Sequence, residues 1–212
     1  WNNISKSGGN CRSFFATKTD GTMWSWGYNQ HGQLGLNEGV LARSSPKQVP
    51  GTNWNIMASS TYHSMHIKTD GTLWGMGLNS TSFGSPLGLN SQVQYSSPKQ
   101  IPGSQWSDVT VNQQGQTYAT KTDGTLWVWG QSSEGGLGLN DGVSRSSPTQ
   151  IPGTQWSSLG SNYRSGSCTK TDGTLWVWGS DQDGKLGQND AVDYSSPIQI
   201  PGTQWTKATT GR

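Results

Sequence analysis

Large apolar residues recur in pairs along this chain, one position apart, and they mark a strand. In Leu126-Trp127-Val128-Trp129 the two indoles share one face of an extended segment and Leu126 and Val128 share the other, because successive strand side chains point to opposite sides. The same pattern reads Met23-Trp24-Ser25-Trp26 and Leu175-Trp176-Val177-Trp178, and Leu73-Trp74-Gly75-Met76 replaces the second Trp by Met. A face that aromatic must be covered, so these Trp are read as core. Ahead of each pair stands Lys-Thr-Asp-Gly-Thr, with the aspartate at Asp20, Asp70, Asp123 and Asp172. Asp-Gly between two strand-like runs predicts a hairpin with a two-residue primed turn.

The rest of the chain has the same vocabulary. A Trp opens each unit at Trp1, Trp54, Trp106, Trp156 and Trp205, at spacings of 53, 52, 50 and 49 residues. A short extended run follows as strand one. After a polar turn, strand two leads into Asp-Gly, and the Trp pair is strand three. A loop then carries Leu-Gly-Leu-Asn (Leu34 to Asn37, Leu87 to Asn90, Leu137 to Asn140; Leu186-Gly187-Gln188-Asn189 in the fourth unit). Ser-Ser-Pro-x-Gln-Val/Ile-Pro-Gly closes the unit, its two prolines bracketing a short strand four. No helical periodicity interrupts this plan. Four short strands per roughly 50 residues read as blades of a propeller. The expectation is an all-β chain, a β-propeller of four-stranded antiparallel blades with about four blades present. It is a single array over 1–212, with units 1–53, 54–105, 106–155 and 156–204, and residues 205–212 starting another. The period is too long for a WD repeat, and the usual paired-glycine strand of kelch is missing except for Gly8-Gly9 in one unit.

These residues resemble the regulator of chromosome condensation repeat. The matching words are His63-Ser64 ahead of Lys68-Thr69-Asp70-Gly71-Thr72-Leu73-Trp74, the Trp-x-Trp-Gly strand, and Gly32-Gln33-Leu34-Gly35, and they span the whole chain. The resemblance implies a ring, typically of seven four-stranded blades. Four units fall short of it, so a piece of a larger ring, or an array completed by another chain, is expected. The family often has His at the place of His63; here the equivalents are Ser13, Gln116 and Ser165. Its founding member is an exchange factor for a small GTPase and binds nucleosomes, through a wedge-like hairpin and basic segments. Neither feature is visible here, and the one insertion is three residues between Gly77 and Leu87, so exchange activity is not carried over. The closely matching, Ser/Thr-rich copies look more like bacterial and viral members.

Composition narrows function more than fold. Leu, Ile, Val and Phe number only 32 of 212 residues, and 12 Trp supply the missing apolar bulk. Charged residues make up 12% and net charge is +2, without the basic patch of a nucleic-acid binder. No apolar run is long enough for membrane insertion. The chain opens on Trp1 with no basic-then-apolar leader, and excision from a longer chain is expected. Cys11 and Cys168 sit at non-equivalent places and indicate neither a disulfide framework nor a metal site. Asn3-Ile4-Ser5 and Asn79-Ser80-Thr81 match the glycosylation pattern, as chance is expected to give in a chain this rich in Asn, Ser and Thr.

No catalytic constellation emerges. His63 and His66 are three apart on one strand and point to opposite faces, and His31 lies in a loop. Four acids belong to the Asp-Gly turns. Asp181, Asp183, Asp190 and Asp193 cluster in the last unit, where Asp181-Gln182-Asp183-Gly184 resembles the start of a calcium loop without the later Glu. No enzyme, cofactor or metal is expected. Antiparallel order puts the turn after strand one and the loop after strand three at one end, and that end varies between units. It carries Tyr28, His31, Tyr62, His63, Phe83, Tyr95, Arg145, Tyr163, Arg164 and Tyr194, with Arg12 and Arg43. Such mixtures suit recognition of proteins or sugars. The functional expectation is a structural or adhesive propeller that contacts protein partners, its own copies or surface glycans, and no nucleic acid, at a cell surface, filament or virion. The alternatives are an intracellular regulatory scaffold of the exchange-factor type and a carbohydrate-binding lectin.

Overall fold

The computed structural model describes residues 1–7 and 11–207. Gly8-Gly9 and most of the expected fifth strand one therefore lie outside the described residues. β1 (Asn3–Ile4) and β2 (Lys6–Ser7) are short. β3 (Ser13–Thr17), β4 (Met23–Gly27) and β5 (Arg43–Val49) complete a first sheet, ordered β1-β3-β4-β5. β6 (Trp54–Ser59), β7 (His63–Lys68), β8 (Leu73–Gly77) and β9 (Tyr95–Gln100) form the second blade, with β2 added in parallel to β6. The third blade is β10 (Trp106–Val111), β11 (Gln116–Lys121), β12 (Leu126–Gly130) and β13 (Arg145–Ile151). The fourth is β14 (Trp156–Ser161), β15 (Ser165–Lys170), β16 (Leu175–Gly179) and β17 (Tyr194–Ile200). The four-strand plan holds in each. In the first blade strand one is split, its second half having crossed to the neighbouring sheet.

The core lies between blades rather than within them. Trp106 packs edge-on against Trp127 and Trp129, with centroids 6.2 and 6.0 Å away. This aromatic face meets Met65, Leu73, Leu87 and Ile101 of the second blade. The opposite face of the third blade (Leu126, Val128, Tyr118) meets Trp156 and Trp178 of the fourth. Phe15, Met23, Leu34 and Val49 meet Trp54, Met57 and Met76 in the same way. The glycine of Leu-Gly-Leu-Asn makes the fit possible. A Cβ on Gly138 would stand 2.9 Å from Trp178 Cδ1, and one on Gly88 2.8 Å from Trp129 Nε1. The Asn that follows donates its N–H across the junction, from Asn37 to Ser96 O, Asn90 to Ser146 O and Asn140 to Ser195 O, at 2.7, 2.8 and 2.7 Å. Among the described residues no such core joins the fourth blade to the first. The blades form an arc whose first blade leaves Trp1 and Phe14 exposed.

Two local expectations are corrected. The Asp-Gly turn is not a two-residue primed turn. Gly21 N donates to Lys18 O and Lys18 N to Thr22 O, and only the glycine has positive φ (77°). That is a three-residue loop ending in a G1 bulge. Asp20 is held otherwise: its Oδ1 accepts from Thr22 N at 2.9 Å and Thr22 Oγ1 at 2.6 Å, and the same geometry recurs at Asp70, Asp123 and Asp172. The prolines do not bracket strand four, since Pro46 lies inside β5. There the register slips between Ser25↔Lys47 and Gly27↔Arg43, and the irregular outer edge tolerates the missing N–H. Asn79 is no glycan acceptor. It is buried, with Nδ2 donating to Ser91 O and Oδ1 accepting from Leu87 N, whereas Asn3 is exposed.

Candidate functional site

The turn after strand one and the loop after strand three lie at one end of every blade, and there they interlock. The strand-three loop of each blade meets the strand-one turn of the next. His31 stands edge-on to Tyr62 at 5.5 Å, Phe83 O and Cβ crowd Gly115, and Glu134 forms an ion pair with Arg164. Tyr62 also packs on Phe83 at 5.3 Å. His31, Tyr62 and Phe83 thus form one half-buried aromatic row across the first two blades. Phe83 is carried by the 3-10 turn Thr81–Phe83, in the one strand-three loop that is three residues longer. Further along, Tyr163 is exposed and Arg164 lies over its ring at 5.1 Å. Tyr28 is covered by Arg12 at 5.8 Å.

The other candidates lie on the outer strands at the same end. Tyr95, Arg145 and Tyr194 begin the outermost strands, opposite Gly77, Gly130 and Gly179, with Arg43 opposite Gly27. They are tied to their own loops: Arg145 to Asp141 at 2.6 Å, Tyr194 Oη to Asp190 at 2.8 Å, Arg43 to Glu38. His63 is a correction. It is 1% exposed, with Nδ1 3.0 Å from Ser60 Oγ, so no partner can touch it. His66 is buried between Phe15 and Trp54, at the place held by Ala16, Ala119 and Cys168 in other blades. Burial pushes both imidazoles down to about 3, so they are neutral packing groups. Among the described residues no three His, Cys, Asp or Glu side chains converge to hold a metal. Asp193 Oδ1 accepts from Asp181 N, and Asp190 holds Tyr194. Cys11 is half-buried and Cys168 buried, both as free thiols.

A second feature was not legible as a site, because its residues repeat in every unit and read as scaffold. A groove of about 530 Å³ runs along the outer flank between the third and fourth blades. Leu139, Asn140, Arg145, Ile151 and Pro152 line one side, Trp156, Lys170, Trp176 and Pro197 the other.

The chain matches the family described as Regulator of chromosome condensation (RCC1) repeat over residues 20–67, 123–161 and 172–212. The chain belongs to that family. Solved structures carry the same fold. Human WBSCR16 aligns at TM-score 0.77 and 22% identity over 91% of this chain and 52% of its own. Prp20p from Saccharomyces cerevisiae, reported with its binding properties to Gsp1p and histones, aligns at 0.76 and 18% over 91% and 49%. Yeast RCC1 (Prp20) bound to Kap60 gives 0.77 and 18% over 95% and 48%. The chain therefore spans about half the length of these propellers. No curated protein is significantly similar to it in sequence. Within the RCC1 repeat frame, the Asp-Gly turns build the uniform end, and what differs between blades gathers at the loop end.

Proposed function

We propose that this RCC1-repeat arc is a protein-binding scaffold and that its loop end is the contact surface. The observation that carries the reading is the row His31–Tyr62–Phe83, where aromatic rings from three loops form one continuous strip. Aromatic residues set among polar ones supply contact area at low entropic cost. Tyr163 and Arg164 extend the surface onto the fourth blade. The uniform end offers little comparable variety, since the Asp-Gly turns are bound to the interblade links: Trp106 N donates to Gly71 O and Thr122 N to Gln105 O. The fold neighbour Prp20p, reported with its binding to Gsp1p and histones, supports proteins as the partner class. The test is affinity purification of the tagged chain and of the Tyr62→Ala, Tyr163→Ala double variant from cells that make it, with partners quantified by mass spectrometry. Loss of specific partners at unchanged melting temperature supports the reading. An identical partner set for both proteins sinks it.

A further inference from the structure

The opener indoles have a recurring feature that packing leaves unexplained. Trp54, Trp106 and Trp156 are 3, 3 and 4% exposed, and the Nε1–H of each is buried without an acceptor. Buried N–H groups in native proteins are almost always partnered. One orphan could be incidental; three at one repeat position are a pattern. A lysine stands beside each. Lys170 Nζ lies 4.4 Å from the Trp156 centroid and 4.6 Å from that of Trp176, Lys121 lies 4.7 Å from both Trp106 and Trp127, and Lys68 4.7 Å from both Trp54 and Trp74. None of these lysines is in an ion pair among the described residues. Asp172, which feels the charge of Lys170, spends its Oδ1 on Thr174.

The two donors border one empty point. It lies where a side chain on the Pro-Gly glycine would start. A Cβ on Gly153 would be 3.9 Å from both Lys170 Nζ and Trp156 Nε1; on Gly103, 3.6 and 3.7 Å from Lys121 Nζ and Trp106 Nε1; on Gly51, 3.4 and 3.7 Å from Lys68 Nζ and Trp54 Nε1. Two adjacent donors, one of them a full positive charge, call for an anionic acceptor. At the last junction Trp156 and Lys170 also line the groove between the third and fourth blades, whose walls include Leu139, Ile151 and Pro197. Its volume is within the usual range for small-ligand sites. Apolar walls beside a cationic niche fit an organic anion better than an inorganic one.

We propose that this groove binds a carboxylate carried on an apolar group, such as the C-terminus of a peptide ending in an aliphatic residue. One carboxylate oxygen accepts from Trp156 Nε1 and Lys170 Nζ above Gly153, and the aliphatic side chain lies against Leu139 and Ile151. The Lys170 ammonium swings off the indoles to admit the oxygen and remains bound to it. This site is on the outer flank and is independent of the loop-end surface. The probe is N-acetyl-leucine, with N-acetylleucinamide as its uncharged counterpart, titrated into the isotope-labelled chain at constant ionic strength. The readout is the assigned Trp156 Nε1–H resonance. A saturable downfield shift with the acid, at least tenfold weaker with the amide, is expected. Lys170→Met, which keeps the stem over the rings, should weaken the acid at least tenfold. Equal response to acid and amide, or no movement of that resonance, overturns the proposal. The comparison of acid with amide on the unaltered chain decides even where the Lys170 variant fails to fold.

Discussion

Trp127 donates its indole N–H to Thr125 Oγ1 at 2.9 Å, and the Thr125 hydroxyl in turn donates to Asp123 Oδ1 at 2.7 Å. The same relay runs from Trp24 through Thr22 to Asp20, from Trp74 through Thr72 to Asp70, and from Trp176 through Thr174 to Asp172. Bonds from the Thr hydroxyl and N–H hold each Asp carboxyl below its usual range. The repeated Lys-Thr-Asp-Gly-Thr-Leu-Trp is therefore one bonded unit. Its Asp shapes the turn, its second Thr bridges, its Trp is anchored, and its Lys lies over the indoles.

Thr125→Val breaks the relay at its middle. It leaves a half-buried indole N–H without its acceptor and removes one donor from Asp123, while the β-branched shape is kept. We expect a loss of about 1–2 kcal/mol in denaturant unfolding. Thr125→Ser, which keeps the hydroxyl, should lose less than half of that. Equal losses would mean that the methyl group matters as much as the bond at this position.

Gly138 and Gly187 occupy equivalent places with similar φ, 69° and 67°. Among the described residues, only Gly138 of the two meets a further blade. Gly187→Ala should cost the left-handed backbone penalty, about 1–2 kcal/mol, since the nearest atom to its Cβ is Ile200 Cδ1 at 3.4 Å. Gly138→Ala adds the collision with Trp178, a further 1–3 kcal/mol. Thermal melts of the two variants side by side measure the interblade contribution. Equal melting temperatures would mean that Trp178 shifts at no cost.

The strands and their repetition were legible because alternation of Trp with Leu or Val is a local signal. The contact of Gly138 with Trp178 was not, because it joins residues 40 positions apart in different blades, although both recur at that spacing. The turn was misjudged for a different reason: Asp tolerates positive φ, but here its carboxylate is drawn to Thr22, and that bond selects the longer loop. Asn79 fitted a surface pattern by composition, yet its amide is used inside its loop. Of the loop-end residues, Tyr62 and Phe83 were singled out by blade-to-blade variability, and the structure packs them side by side. His63 shared that variability and is buried, since period-2 alternation does not say which face a neighbouring blade covers.

Acid should destabilise the second blade through His66. Its pKa falls from 6.5 unfolded to about 3 folded, so between these values the unfolded state binds the extra proton and stability falls as pH falls. The slope approaches about 1.4 kcal/mol per pH unit once the unfolded imidazole is protonated, which gives about 2 kcal/mol between pH 6.5 and 4.5 from this residue. His63 adds a second contribution of the same sign. His66→Phe removes the titrating group and should flatten the dependence of unfolding free energy on pH. An unchanged profile in that variant would assign the acid sensitivity to other groups.

Asp181 departs from its siblings at evident cost. Asn29 and Asn79, at the same position, each use both ends of the amide: Oδ1 accepts from Leu34 N or Leu87 N, and Nδ2 donates to Gly39 O or Ser91 O. Asp181 keeps the first bond, from Leu186 N at 2.6 Å. It has no donor for the second, and its Oδ2 is buried with no partner. Asp181→Asn restores the donor at constant shape and removes a buried unpaired oxygen. We expect a gain of about 1–3 kcal/mol in denaturant unfolding. Asp181→Ser, which copies Ser132 of the third blade, should fall short of that gain. Its hydroxyl can reproduce the bond from Ser132 Oγ to Asp141 O, but it leaves Leu186 N unpaired. A loss of stability in the Asn variant would show that the carboxyl itself is required there and would end the account of Asp181 as a mismatch.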